Sequence, residues 1–390
     1  MSTSDGPGII RLVSGLPLRR ESSFIRQLRL LKRTFDELSV PAEVSGPPFE
    51  DLYLPDGGTL GGIPGGLVDT RPAAKRAPDR ARILLGYPDQ FHFVTPTNHQ
   101  VSAAPTFLWT QLSGPPKRSE LGFYRLARPV ALTERTWSFL AAAVSRFFPG
   151  GIPILPHGVD TKVFRPPTDD ERKREVAETR HRFGLDESFT VGTVAANSFR
   201  KRFDRMFEAF ALFHKRAPGA KERISRFVVK TDRIRGLDGR DLSELARRYG
   251  IEEEVLFIEE DMGEVELAAL FGSFDLYLNL SEWEGFCIPV IEAMACGVPV
   301  VSHDVQGPGE LLPYAELIVP GSTRSNDEGV LLLDASPEQA AKVLERAYRE
   351  RKLRARASEI GRRTCVDLYD IHRVADAWLA LLSELPPTAS

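Results

Sequence analysis

Cysteine is scarce in this chain: Cys287, Cys296 and Cys365 are the only three in 390 residues, and their spacing matches no metal-ligand set. That excludes a disulfide scaffold and a structural zinc site as readings, and a reducing, cytoplasmic setting is expected. Charge of one sign is lacking as well. Lys and Arg number 51 against 54 Asp and Glu, a net −3 that gives no electrostatic reason to propose nucleic acid as a partner. No apolar run approaches the length of a membrane span. The opening MSTSDGPG has neither the basic nor the apolar region of a signal peptide, so a soluble protein is expected. Internal repeats are not visible, and no Asp-x-Asp motif occurs. Residues 57–66, GGTLGGIPGG, are followed by no Lys-Ser or Lys-Thr and do not form a P-loop. They read as a flexible loop or linker, either plain surface or lying over a bound substrate.

What the chain has is length enough for two domains, each with its own core. Charge divides between them, with net +5 over residues 1–156 and −8 over the rest. A basic first part can meet an anionic partner. GIIRLV (8–13) reads as a first strand. From Phe24 the positions Phe24, Leu28, Leu31, Phe35 and Leu38 fall at helical spacing, with Arg26, Arg29, Lys32 and Arg33 off that stripe. This basic face is either ordinary solvated surface or a peripheral contact with anionic membrane. Further strands are expected at 81–87, 106–111 and 129–133. A charged helix follows at 169–185, and then strands at 189–196, 226–231 and 255–260 alternate with helices at 203–217, 241–249 and 264–271. Repeated strand–helix units predict a doubly wound α/β fold with parallel sheets. Ser336-Pro-Glu-Gln339 starts a helix with a cap and a proline at its first position, and 354–385 reads as more helix.

The most informative stretch is Ser281–Val301, SEWEGFCIPVIEAMACGVPVV. LYLNL (276–280) before it suits a buried parallel strand and VPVVS (298–302) suits the next. Pro289 fits the first turn of a helix between them, and Gly297 fits just past its end. Glu284 then sits on the turn at the carboxyl end of a strand, the edge where ligands bind in open α/β sheets. Glu292 lies further along the helix. The amides of 285–288, with the helix dipole, make a seat for an anion such as a diphosphate, and Gly285 lets the backbone approach a ligand closely. Carboxylates beside that seat suit hydroxyls, so phosphate plus polyol points to a nucleotide sugar. Arg200, Lys201 and Arg202, in a loop on the same edge, add cations for a diphosphate; Arg202 reads more simply as an exposed charge. Two plainer readings stand beside this one. The glutamates can be dipole-favouring surface charges, or a glycosidase acid and nucleophile pair. Met294 and Cys296 read as core.

Glu284-Gly-Phe, seven residues to Glu292 and then Glu-Ala-Met-Ala-Cys-Gly-x-Pro-Val-Val resembles the signature of retaining GT-B glycosyltransferases of family 4, glycosyl transferases group 1. The resemblance extends from about Leu155 to Val319, and Leu155-Pro-His-Gly-Val-Asp160 is similar to the family's entry into its second domain. It implies an N-terminal acceptor-side Rossmann-like domain (1–155), a C-terminal nucleotide-sugar-binding domain (156–370) and a last helix (371–390) crossing back to the first, with the donor in the cleft between them. It also implies roles. Glu284 would contact the donor sugar and Glu292 the ribose, with the amides of Gly285, Phe286 and Cys287 on the sugar and phosphates. Lys201, with Arg200 in place of an arginine that the family carries several residues earlier, would stabilise the leaving diphosphate without metal or other cofactor. The acceptor would attack on the donor's own face with the leaving phosphate as base. SGLPLRR stands where the family has paired glycines and LSGPP (112–116) where it has a histidine, with His92 and His99 nearby. The acceptor, whether saccharide, lipid or other, is therefore not legible. A nucleotide-sugar epimerase or hydrolase of the same fold, or a non-catalytic sugar-nucleotide binder, shares the anion seat.

Overall fold

The computed structural model describes residues 9–14, 23–45, 79–86, 104–112, 114–216, 225–236, 240–304, 307–326 and 330–384. The glycine-rich stretch 57–66, the histidines at 92 and 99 and all of SGLPLRR after Ser14 lie outside these. The chain divides into two compact units, Met1–Gly158 with Ile371–Ser390, and Val159–Asp370.

The first unit carries β1 (Ile9–Ser14), α1 (Ser23–Glu37), β2 (Ala42–Ser45), β3 (Asp79–Leu85), β4 (Thr106–Thr110), β5 (Arg128–Ala131) and α2 (Glu134–Val144). Its strands form one parallel sheet in the order β2-β1-β3-β4-β5. β5 stops short of the predicted end because Thr133 is used as the cap of α2, its side chain accepting from the Thr136 amide. In α1 the stripe Phe24, Leu28, Leu31 and Phe35 is buried, together with Ile25. Leu38 is not part of it. The helix ends at Glu37, Ser39 turns the chain with φ 59°, and Leu38 is left exposed. Arg29 and Arg33 are exposed, while Arg26 and Lys32 are half-buried and Lys32 pairs with Asp36.

The second unit begins with α3 (Asp170–Arg182), β6 (Phe189–Val194), α4 (Phe203–Arg216), β7 (Ser225–Lys230), α5 (Leu242–Tyr249), β8 (Val255–Ile258) and α6 (Glu264–Gly272). It continues with β9 (Leu276–Asn279), α7 (Ile288–Ala295), β10 (Val300–His303), α8 (Pro308–Leu311) and β11 (Ile318–Val319). Six strands make a parallel sheet in the order β11-β10-β9-β6-β7-β8. A separate antiparallel hairpin, β12 (Gly321–Ser325) with β13 (Leu331–Ala335), precedes α9 (Pro337–Arg349) and α10 (Arg351–Thr364). Ser336 caps α9 and Pro337 opens it. Arg172 on α3 does not join that helix's solvated face: it is 1% exposed and donates to Glu175.

The helix predicted for 354–385 is broken. A π-turn over Cys365–Tyr369 ends α10, and Asp370 is extended, bridging to Val159 and accepting from the Thr161 hydroxyl. α11 (Ile371–Ser383) then packs in the first unit, with Trp378 edge-on to Phe107 and Trp109 at 6.0 and 5.4 Å.

Packing is tight where β6 meets the end of α6. A Cβ added at Gly192 would stand 2.3 Å from the ring of Phe274, itself 6% exposed. Gly192→Ala is therefore expected to lower stability by about 1–3 kcal/mol, the usual cost of overpacking a core. Urea unfolding checks this, and an unchanged midpoint would contradict the packing described.

Candidate active site

From β6 the chain runs outward through β7 to β8, then returns so that β9 lies on the other side of β6 and continues to β10 and β11. The strand order therefore reverses between β6 and β9, which pair directly through Val191–Leu276 and Gly192–Tyr277. The loops leaving the carboxyl ends of these two strands flank that reversal, and in such sheets the crevice beside it is the general ligand position. The loop after β6 carries Arg200 and Lys201, and the loop after β9 carries Glu284. These three residues are brought into contact.

Glu284 is 5% exposed and Lys201 7%. The ammonium of Lys201 donates to Glu284 Oε1, and Arg200 Nη1 donates to Oε2 at 2.6 Å. The Arg200 guanidinium also lies over the Trp283 ring, 5.0 Å from its centre. Burial alone would raise the Glu284 pKa. The two cations, with hydrogen bonds from Lys201 and Ser281, outweigh it and hold the carboxyl at about 2. The loops are joined by backbone as well, since the Glu282 amide donates to the Arg200 carbonyl at 2.7 Å.

Gly285, Phe286 and Cys287 lead from Glu284 into α7, which carries Pro289 in its first turn and is followed, past its cap at Cys296, by Gly297 with φ 73°. The positive φ in this turn belongs to Cys287 rather than Gly285: φ 79°, ψ 73° in a residue with a side chain, a backbone cost of the kind found at functional turns. Its thiol accepts from Asn279 Nδ2 at 3.6 Å, and burial pushes its pKa up to about 12, so it stays a neutral thiol. Phe286 packs edge-on against Tyr369. Among the described residues the amides of Gly285 and Cys287 make no backbone hydrogen bond. Glu292 sits inside α7, 3% exposed. Together with Glu284 it helps raise the pKa of Tyr277, after the larger effect of burial. Met294 and Cys296 are core.

Arg202 is the correction. Its side chain is 11% exposed. It donates to both carboxylate oxygens of Asp204 and to Asp334, with Glu282 at 3.5 Å. Two other residues escaped the sequence. Glu282, buried, accepts from Arg324 on β12 at 2.6 Å. His303, at the carboxyl end of β10, meets the Ser281 carbonyl through Nε2 at 2.6 Å, and burial lowers its pKa to about 4, so Nε2 carries the proton and donates. The signal that finds both is position: each stands at the carboxyl edge of a strand beside the crevice.

Residues 176–364 match the family model for glycosyl transferases group 1. The D-inositol 3-phosphate glycosyltransferase of Salinispora arenicola is 31% identical over 217 residues, 55% of this chain and 46% of that protein. The GDP-mannose-dependent alpha-mannosyltransferase of Mycobacterium tuberculosis is 28% identical over 316 residues, covering 75% and 76%. The chain spans about half the length of the inositol phosphate relatives it matches first. Among solved structures, a sucrose-phosphate synthase from Thermosynechococcus elongatus superposes with TM-score 0.70 at 16% identity over 97% of this chain and 98% of that one. Anabaena HepE in complex with UDP and glucose gives 0.68 at 15%, over 97% and 100%. At such identities the likeness is one of fold: two Rossmann-like α/β domains, the GT-B fold.

Proposed function

From a chain that carries the domain of the glycosyl transferases group 1 family over residues 176–364, we propose a glycosyltransferase that moves a sugar from a nucleoside diphosphate sugar to an acceptor with retention of configuration and without a metal. The observation that carries this is the convergence of Arg200 and Lys201 on Glu284 at the point where strand order reverses, beside the first turn of α7. The diphosphate of the donor takes the cations and the amides of Gly285, Phe286 and Cys287. Glu284 turns to the sugar's hydroxyls, and Glu292 holds the ribose. When the bond from the anomeric carbon to the phosphate oxygen breaks, its electron pair goes to the diphosphate. Fixed cations stabilise that growing charge with no reorganisation. The acceptor oxygen forms the new bond, and its proton passes to the departing phosphate. Related structures hold UDP with glucose, and a relative is named for GDP-mannose; both support a nucleotide sugar and leave the base to experiment.

One of UDP, GDP or ADP is expected to raise the melting temperature in the presence of EDTA, because a ligand that binds only the folded chain stabilises it. At a hundred times Kd the gain is about 2.7 kcal/mol. No shift with any of the three, or a shift abolished by EDTA, would sink the site or its independence of metal.

A further inference from the structure

Two turns meet at the candidate site, and what locks them together lies behind the charges that face the ligand. Lys201 closes a short helical turn, Phe199–Lys201, and the next residue, Arg202, is left-handed with φ 49° and ψ 48°. An arginine in that region is held against its own backbone preference. What holds it is its guanidinium: Nε and Nη2 grip both oxygens of Asp204 at 3.1 and 3.0 Å, and Nη1 reaches Asp334 at 3.1 Å and Glu282 at 3.5 Å. Asp334 on β13 is gripped a second time, by Arg205 at 3.1 and 3.0 Å.

Glu282 is tied on every side. Its amide donates to the Arg200 carbonyl at 2.7 Å, its carbonyl accepts from Leu333 of β13 at 2.9 Å, and its carboxylate accepts from Arg324 of β12 at 2.6 Å. The cation-bearing turn, the Glu284 loop and the β12–β13 hairpin are thus one charge-stitched block.

We propose that Arg202 and Glu282 are positioning residues that aim Lys201 at the donor diphosphate, an inference that rests on the donor-site reading above. Glycine adopts φ near 49° without strain, so Arg202→Gly removes the guanidinium and keeps the backbone. Because glycine also adds backbone freedom, the loss that belongs to the charge network is the one Arg202→Gly shares with Glu282→Gln, which leaves the backbone of that turn unchanged.

The test reads Lys201 directly. Wild type, Arg202→Gly, Arg202→Lys and Glu282→Gln are labelled briefly with an amine-reactive ester and the modified peptides are quantified by mass spectrometry, with exposed Lys162 as internal reference. Labelling of Lys201 is expected to rise about tenfold in Arg202→Gly and in Glu282→Gln, the scale of coupling within one salt-bridge network. Lys162 should stay constant, and Arg202→Lys should recover part of the protection. In the same variants, affinity for whichever of UDP, GDP and ADP stabilises wild type should fall by a similar factor. Lys201 as protected in both variants as in wild type overturns the proposal. So does a parallel rise at Lys201 and Lys162, which would make the network a brace of the fold. If wild type binds none of the three nucleotides, the donor reading fails, while the labelling still decides whether Arg202 and Glu282 position Lys201.

Discussion

Lys201→Ala should lower kcat by roughly 10²-fold or more, the scale seen when one preorganised electrostatic donor is removed from a site where charge develops. Lys201 is buried and stands on the same carboxylate as Arg200, so the variant keeps one of two cations. Binding of the donor therefore weakens less than turnover. Glu292→Gln is the contrast. Buried in α7 and assigned to the ribose, remote from the bond that breaks, Glu292 contributes equally to ground and transition states, and its loss should appear mainly in donor KM. Steady-state kinetics with donor varied at saturating acceptor separates the two. Full kcat in Lys201→Ala together with lost turnover in Glu292→Gln would put the carboxylate at the chemistry and return the glycosidase-like pair to consideration.

The crevice was legible because local periodicity wrote it. A short apolar strand, a turn with glycine and a helix opened by proline fix where Glu284 and Glu292 fall, and the structure has Pro289 in the first turn of α7 and Gly297 past its end. Alternating strands and helices gave both parallel sheets. What was not legible depends on partners distant in the chain. Arg202 looks like one charge among three until Asp334, 132 residues away, and Glu282 close around it. The break at Asp370 comes from its bonds to Val159 and Thr161, which outweigh the helical pattern of the sequence around it. The β12–β13 hairpin gave no signal because every residue of β12 is exposed, so no alternation of apolar and polar residues marks it. In the turn after Glu284 nothing in the sequence marked Cys287 as the residue that takes the left-handed conformation, which glycine would take more readily.

The ion triad also predicts an opposite pair of effects from one substitution. Glu284 pairs with both Arg200 and Lys201, the cations that the donor-site reading assigns to the diphosphate. Its carboxyl is held at about 2, against 4.5 for the free group. A depressed pKa means that the triad's contribution to stability is complete above about pH 4.5 and is lost as pH falls through about 2. Across neutral pH the carboxylate is therefore always charged and always competes for Arg200 and Lys201. Glu284→Gln removes the competitor. It leaves buried Lys201 without its counter-ion, a change that costs about 3–5 kcal/mol when one partner of a buried pair is deleted, so the ligand-free melting temperature should fall. The freed cations should then bind a nucleoside diphosphate more tightly, by roughly tenfold or about 1.4 kcal/mol, and that ligand should raise the variant's melting temperature more than it raises the wild type's. The nucleotide sugar should show no such gain, because the contact with the sugar's hydroxyls is lost, and transfer should fall with it. Calorimetric titration of nucleoside diphosphate and nucleotide sugar into both proteins measures the difference. Weaker nucleoside diphosphate binding in Glu284→Gln than in wild type would mean that the carboxylate holds the cations in place for the ligand instead of occupying its seat.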